Sequence, residues 1–229
     1  NILWHAGEPL ACGIDHFQNL LLPFTDLINN GKVSFGIQTN GTLLNDDWCE
    51  MFKKYKFEIG VSLDGPKWAN QNRVDWNGNQ KYEQTLRGIS ILKKYEIPFG
   101  IIAVIQEESL GKANEIYDFF CSIDCQWLGI NIEEKLGVNN SQIIDKEKVK
   151  IFWQGIITCW IKKPKLNIRD LTEIIEWVND VSRDVKVSKN LIYDIFPTIN
   201  YKGDVVLFSP EFSDMNSRKY GSFKVRNII

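Results

Sequence analysis

The sequence predicts an α/β fold built on a parallel sheet. Three observations carry that expectation. Short apolar or β-branched segments alternate with segments of helical period; residues 99–105 form an almost unbroken apolar run suited to burial on both faces; and three successive strand segments end in small and polar phrases. Those phrases are His5-Ala6-Gly7-Glu8-Pro9, Gln38-Thr39-Asn40-Gly41 and Ser62-Leu63-Asp64-Gly65-Pro66. Parallel α/β sheets assemble ligand sites at the carboxyl ends of their strands, so the repetition points to one ligand held by several strands.

Each element has its own signal. Residues 1–6 are strand-like, and Phe17, Leu20, Leu21, Phe24, Leu27 and Ile28 then recur at helical spacing until Asn29-Asn30-Gly31 stops them. Val33 to Gln38 is the next strand. Asn45 is placed to cap a helix carrying Trp48, Met51, Phe52 and Tyr55, with acids in its first turn and lysines in its last. Phe57 to Leu63 follows as strand. The polar connection from Asp64 to Gln80 exceeds the usual α/β loop length, a property of functional or mobile loops. A helix with Leu86, Ile89, Ile91 and Leu92, a strand from Phe99 to Ile105, a helix around Ile116 to Phe120 and a strand from Trp127 to Ile132 complete five strands and four helices. From Asp145 the rhythm becomes helical, Val149 to Trp160 and Leu171 to Val181, separated by Pro164. A hairpin is expected from Thr198 to Phe208 around Lys202-Gly203-Asp204. Residues 1–134 therefore read as the parallel α/β domain and residues 145–229 as an appended region.

Composition bounds the function. A chain of 229 residues with 44% hydrophobic content buries a substantial core, and its net charge of −2 predicts no nucleic-acid affinity. No membrane span or signal peptide is read, and a cytoplasmic setting is the default. The five cysteines, Cys12, Cys49, Cys121, Cys125 and Cys159, have no regular disulfide spacing and read as reduced thiols, most of them in the core. Cys121 and Cys125 lack the further ligands that zinc or iron would need nearby. Asn1-Ile2-Leu3-Trp4 reads as a strand already under way and Lys224 to Ile229 stops in a strand-like stretch, so the sequence is expected to be a fragment. Its first strand is then expected to have an unpaired edge that invites association.

At the strand ends, Gly7 permits a ligand to approach the backbone. Glu8 fixes a neighbouring loop or meets a cation, and Pro9 stiffens the exit. Asn40 bonds a ligand or caps a turn. Ser62 and Asp64 lie at the same level, Asp64 also reading as the first residue of an Asp-Gly-Pro turn. Arg73, eleven residues beyond Ser62, offers a guanidinium for a paired bond to a ligand carboxylate, or is a surface arginine. His5 reads as packed or solvent-bonded rather than metal-ligating.

Taken together, these phrases resemble the radical S-adenosylmethionine (SAM) superfamily, and more narrowly its SPASM-type peptide maturases. His5-Ala6-Gly7-Glu8-Pro9 is similar to that family's glycine-glycine-glutamate-proline signature, with Ala6 in place of the first glycine. The tail, Gly203 to Glu211 with Tyr220-Gly221-Ser222-Phe223, and the Glu133-Glu134 pair resemble maturases that crosslink ribosomal peptides into cyclophanes. The resemblance implies a partial (βα)6 TIM-like barrel with a helical and β-hairpin extension. It further implies SAM contacts from Ala6, Gly7, Glu8, Asn40, Ser62, Asp64, Arg73 and Glu134. The implied cofactors are SAM and a [4Fe-4S] cluster, with auxiliary clusters downstream, and the implied partners are a ribosomal precursor peptide and an electron donor such as a flavodoxin or ferredoxin. In that family the cluster cleaves SAM to a 5′-deoxyadenosyl radical that abstracts hydrogen from the peptide, the protein supplying position and electrostatics. The family's cluster loop, three cysteines spaced three and then two residues apart, is absent from this sequence. Two other readings stay open: a barrel-like glycoside hydrolase using Glu8 and Glu133, and a non-catalytic peptide-binding module.

Overall fold

The computed structural model describes residues 1–133, 145–183, 197–207, 210–213, 215–219 and 221–229. They form two compact units, Asn1–Trp177 and Val178–Ile229.

The first unit alternates strand and helix as expected: β1 (Ile2–Trp4), α1 (Ile14–Leu21), α2 (Thr25–Asn29), β2 (Phe35–Thr39), α3 (Asp46–Tyr55), β3 (Glu58–Ser62), α4 (Tyr82–Lys94), β4 (Phe99–Ile105), α5 (Ala113–Ile123) and β5 (Trp127–Ile132). The five strands are parallel in the order β1-β2-β3-β4-β5, an open sheet consistent with part of a TIM-like barrel, with β1 at one edge. The single helical pattern read from Phe17 to Ile28 is broken into α1, a 3-10 turn at Leu22–Phe24 and α2. Pro23 accounts for the break, since it lacks an N–H and its ring obstructs the preceding turn. The capping expected of Asn45 is present, its side chain accepting from Trp48 N at 3.0 Å, and Lys56 ends α3 in a left-handed conformation at φ 54°.

Strand alternation divides the sheet into two chemically different faces. Phe35, Ile37, Ile59, Val61, Ile101, Ala103, Leu128 and Ile130 enter the core with Phe17, Trp48, Phe52, Leu92, Ile116 and Phe120 from the helices. Each such large side chain contributes about 1.5–3 kcal/mol by leaving water. The other face is floored by glycines over which neighbouring side chains lie. A Cβ on Gly60 would collide with the Gln38 carboxamide, one on Gly100 with the Trp127 indole, and one on Gly129 would stand 2.9 Å from Arg169 Nη1. Large polar and aromatic groups therefore fit against this face only because the positions beneath them lack side chains.

Helix α6 (Lys146–Lys162) starts on Asp145, which accepts from Glu147 N at 2.8 Å, and packs on α5 through Phe152 and Ile156. Gly155 permits that approach, because a Cβ there would be 2.7 Å from Ala113 Cβ. Ile168 pairs with Leu128 beside β5 and leads into α7 (Arg169–Ser182), whose Asp170 accepts from Ile130 N at 3.0 Å. Among the described residues no helix is long and apolar enough to cross a membrane.

In the second unit, β6 (Thr198–Ile199) and β7 (Asp204–Val206) form the expected hairpin, turning on Gly203 at φ 74°. Asn200 Oδ1 fastens that turn by accepting from Lys202 N and Asp204 N. Short strands β8 (Asn216–Ser217) and β9 (Gly221–Ser222) pair with each other, and β10 (Arg226–Asn227) adds to β7. Ser209 and Tyr220 lie outside the described residues.

Candidate functional site

The exit of β1 is an unusual piece of backbone. Ala6 and Gly7 are consecutive left-handed residues at φ 67° and 62°, and a side chain on Gly7 would meet nothing within 4 Å. Ala6 bears strain there that a glycine would not, of about 1 kcal/mol, and such strain gathers at functional sites. His5 is exposed, and His16 lies on α1.

Glu8 pins two strand exits together. Its Oε1 accepts from Leu10 N at 3.1 Å and from Thr39 Oγ1 at 2.7 Å, while Oε2 accepts from Asn40 N at 2.7 Å. These are charge-assisted bonds of the stronger kind, so of the two roles read for Glu8 the structure shows the loop-fixing one. Asn40 shows its turn-capping alternative: Oδ1 accepts from Thr42 N at 2.9 Å and Thr42 Oγ1 at 2.7 Å. Its backbone carbonyl accepts from Thr85 Oγ1 at 2.9 Å, a contact allowed because Gly88 lets α4 approach the Gly41 carbonyl. Thr39, buried and bonded to both Glu8 and Gly41 N, carries no signal of its own in the sequence although it lies within the Gln38-Thr39-Asn40-Gly41 phrase.

The β3 exit is held with equal care. Asp64 is buried; Oδ1 accepts from Val104 N at 2.8 Å and Arg73 Nη2 at 2.6 Å, and Oδ2 accepts from Arg73 Nε at 2.6 Å. Arg73 thus spends its paired edge on Asp64, and Nη1 makes no hydrogen bond to the described residues. Buried Asn70 fastens the turn, accepting from Asp64 N and donating to Gly65 O and Pro66 O. No sequence signal separates Asn70 from other loop asparagines. Ser62 Oγ accepts from Gln38 Nε2 at 2.9 Å across the paired strands.

Gly7, Glu8, Asn40 and Arg73 line one cavity of about 590 Å³ with Thr42, Leu43, Asn72, Val74, Asp75, Trp76, Lys81 and Thr85. Ala6, Ser62 and Asp64 are not in its lining, Asp64 acting through Arg73, and Glu134 lies outside the described residues. A second cavity of about 330 Å³ lies by Trp127 and Arg169, at the amino end of β5. The larger one sits at the carboxyl ends of the strands, where this architecture places ligands. Beyond the cavity, Glu133 N bonds to Ile105 O at 2.9 Å. Burial pushes the thiols of Cys49 and Cys125 up to about 11. Among the described residues no three His, Cys, Asp or Glu gather where they could hold a metal ion.

The family model of the radical SAM superfamily matches residues 1–120. The chain belongs to the radical SAM superfamily. It is 30% identical over 243 residues to an uncharacterized protein of Synechocystis sp., covering all of this chain and 60% of that protein. It is also 30% identical over 167 residues to the serine-type anaerobic sulfatase-maturating enzyme of Klebsiella aerogenes, covering 71% of this chain and 41% of the enzyme. Among solved structures, native anSMEcpe with bound AdoMet and Cp18Cys peptide matches with a TM-score of 0.74 at 23% identity, over 90% of this chain and 59% of that one. This radical SAM chain therefore spans about 60% or less of these proteins and shares the fold of the solved one.

Proposed function

We propose that this chain binds SAM in the cavity at the strand ends and takes part in radical modification of a polypeptide. The observation that carries the reading is convergence: the left-handed backbone at Gly7 and the guanidinium of Arg73, from loops far apart in sequence, face one cavity. The residues fit the cofactor, since the open space over Gly7 admits the close approach of a ligand. Backbone groups at residues 6–8 would hold the SAM amino group. Arg73, oriented by Asp64, would offer Nη1 to its carboxylate; Ser62 and Glu134 are assigned to the ribose and adenosine ends.

Radical SAM chemistry uses a [4Fe-4S] cluster, and bound SAM supplies the 5′-deoxyadenosyl group that takes hydrogen from substrate carbon. The described residues offer no ligand set for that cluster. What the chain contributes is position: Glu8 locks the β1 and β2 exits, and Asp64 aims Arg73. A polypeptide substrate is supported by relatives named for sulfatase maturation and by the Cp18Cys peptide bound to anSMEcpe beside AdoMet. Cyclophane crosslinking is the finer assignment, supported by the tail phrase around Gly203. A cytoplasmic flavodoxin or ferredoxin is the proposed electron donor.

The test is calorimetric titration of SAM into the chain, then into the Arg73→Ala variant. Saturable binding weakened tenfold or more by the variant is expected. Absence of SAM binding in the wild-type chain rejects the reading. For the full-length protein reconstituted without oxygen, release of 5′-deoxyadenosine with a side-chain crosslink in the precursor peptide is the expected result.

A further inference from the structure

Three apolar side chains stand in water round the mouth of the cavity. Leu43, from the connection between β2 and α3, is 45% exposed, and Val74 and Trp76, from the loop before α4, are 47% and 104% exposed. Single exposed apolar residues are ordinary, but three converging from two loops on one opening mark an interaction site. The turn that carries the largest is also ordered. Asp75 Oδ1 accepts from Asn77 N and Asn79 N at 2.9 Å each, its Oδ2 pairs with Lys81 Nζ at 2.7 Å, and Val74 bridges Gln80 across the turn. The backbone that carries Trp76 is therefore ordered before any partner arrives, which lowers the cost of binding through an aromatic anchor.

Charge decides what this mouth accepts. Arg73 and Lys81, the two cations of the loop that line the cavity, are each paired with a carboxylate, Asp64 and Asp75. The rim thus carries no uncompensated cation to draw an anion, and what it offers to solvent is apolar surface. The part of the lining at Gly7, Asn40 and Arg73 is polar and suits the charged methionyl end of SAM. We infer that Leu43, Val74 and Trp76 form an apolar collar that grips an apolar or aromatic side chain of the polypeptide substrate, fixing which residue reaches the cofactor. The inference rests on the SAM reading of the polar lining: a polymer arriving from solvent meets the exposed apolar side chains first.

The test uses the chain saturated with SAM and two synthetic peptides of a Gly-Ser-Lys host sequence, one with a central Trp and one with Ala, titrated by fluorescence anisotropy. The Trp peptide should bind about tenfold more tightly, the discrimination expected of an apolar pocket. Trp76→Ala should abolish that preference and Trp76→Phe retain most of it, with melting temperature unchanged because the indole packs on nothing in the fold. Equal binding of both peptides by the wild-type chain, or a preference that survives Trp76→Ala, overturns the collar and leaves the SAM reading standing. Failure of the wild-type chain to bind SAM overturns both.

Discussion

Arg73 and Asp64 face each other edge to edge, with Nε and Nη2 donating to the two carboxylate oxygens at 2.6 Å each. Asp64 also accepts from the Val104 amide, so a single buried carboxylate ties the β3 exit, the long loop and β4. Asp64→Asn should cost about 2–3 kcal/mol in urea denaturation, because a charge-assisted pair is lost and a buried acceptor is replaced by a donor. SAM affinity should fall with it. Arg73→Lys should keep the charge but lose the fork, giving a smaller stability loss and the same direction for SAM.

Glu8→Gln is expected to destabilise by about 1–2 kcal/mol, since one of the sites now accepting from Thr39, Leu10 and Asn40 becomes an amide donor. The signature is local. Hydrogen exchange of the Asn40 amide should accelerate more than that of β4 amides; uniform acceleration would show that Glu8 does not act as a pin.

Gly60→Ala and Gly100→Ala should each destabilise by about 1–3 kcal/mol or more, because the new methyl enters space held by Gln38 or Trp127. Gly111→Ala, with nothing within 4 Å of the added carbon, is the control and should be near neutral in thermal melts.

Cys49 and Cys125 should resist alkylation near pH 8 in the native chain: with each thiol pushed up to about 11 by burial, only about a thousandth of it would be thiolate. Exposed Cys12 should react first. Stability follows pH with a definite sign. The unfolded thiols, at about 8.5, lose protons before the folded ones, so stability is full below about pH 8 and falls as pH rises towards 11. A flat chemical-denaturation midpoint across about pH 8–10.5 would contradict this.

Much of the architecture is legible in the sequence because it rests on local chemistry. The bounds of β4 and β5 follow from apolar runs ended by polar residues, and the start of α3 follows from Asn45. What escapes depends on residues distant in sequence. Nothing near Glu8 announces that Thr39 and Asn40, more than thirty positions away, will share its carboxylate. Arg73 reads as free for a ligand because Asp64, nine residues earlier, reads equally well as a turn former. The loop from Asp64 to Gln80 reads as one polar connection, yet a 3-10 turn at Lys67–Asn70 and the Val74–Gln80 pair give it order, through Asn70 and Asp75. The left-handed Ala6 carries no signal, since alanine rarely adopts that conformation.

The Glu8 carboxylate has a mechanical consequence. The β1 turn is tied through Glu8 to the Asn40 amide, and the Asn40 carbonyl in turn to Thr85 in α4, so a displacement of the first would be passed to the last. The three-part linkage makes recognition at Gly7 a lever whose far arm is a helix, and the loop carrying the exposed indole leads directly into that helix.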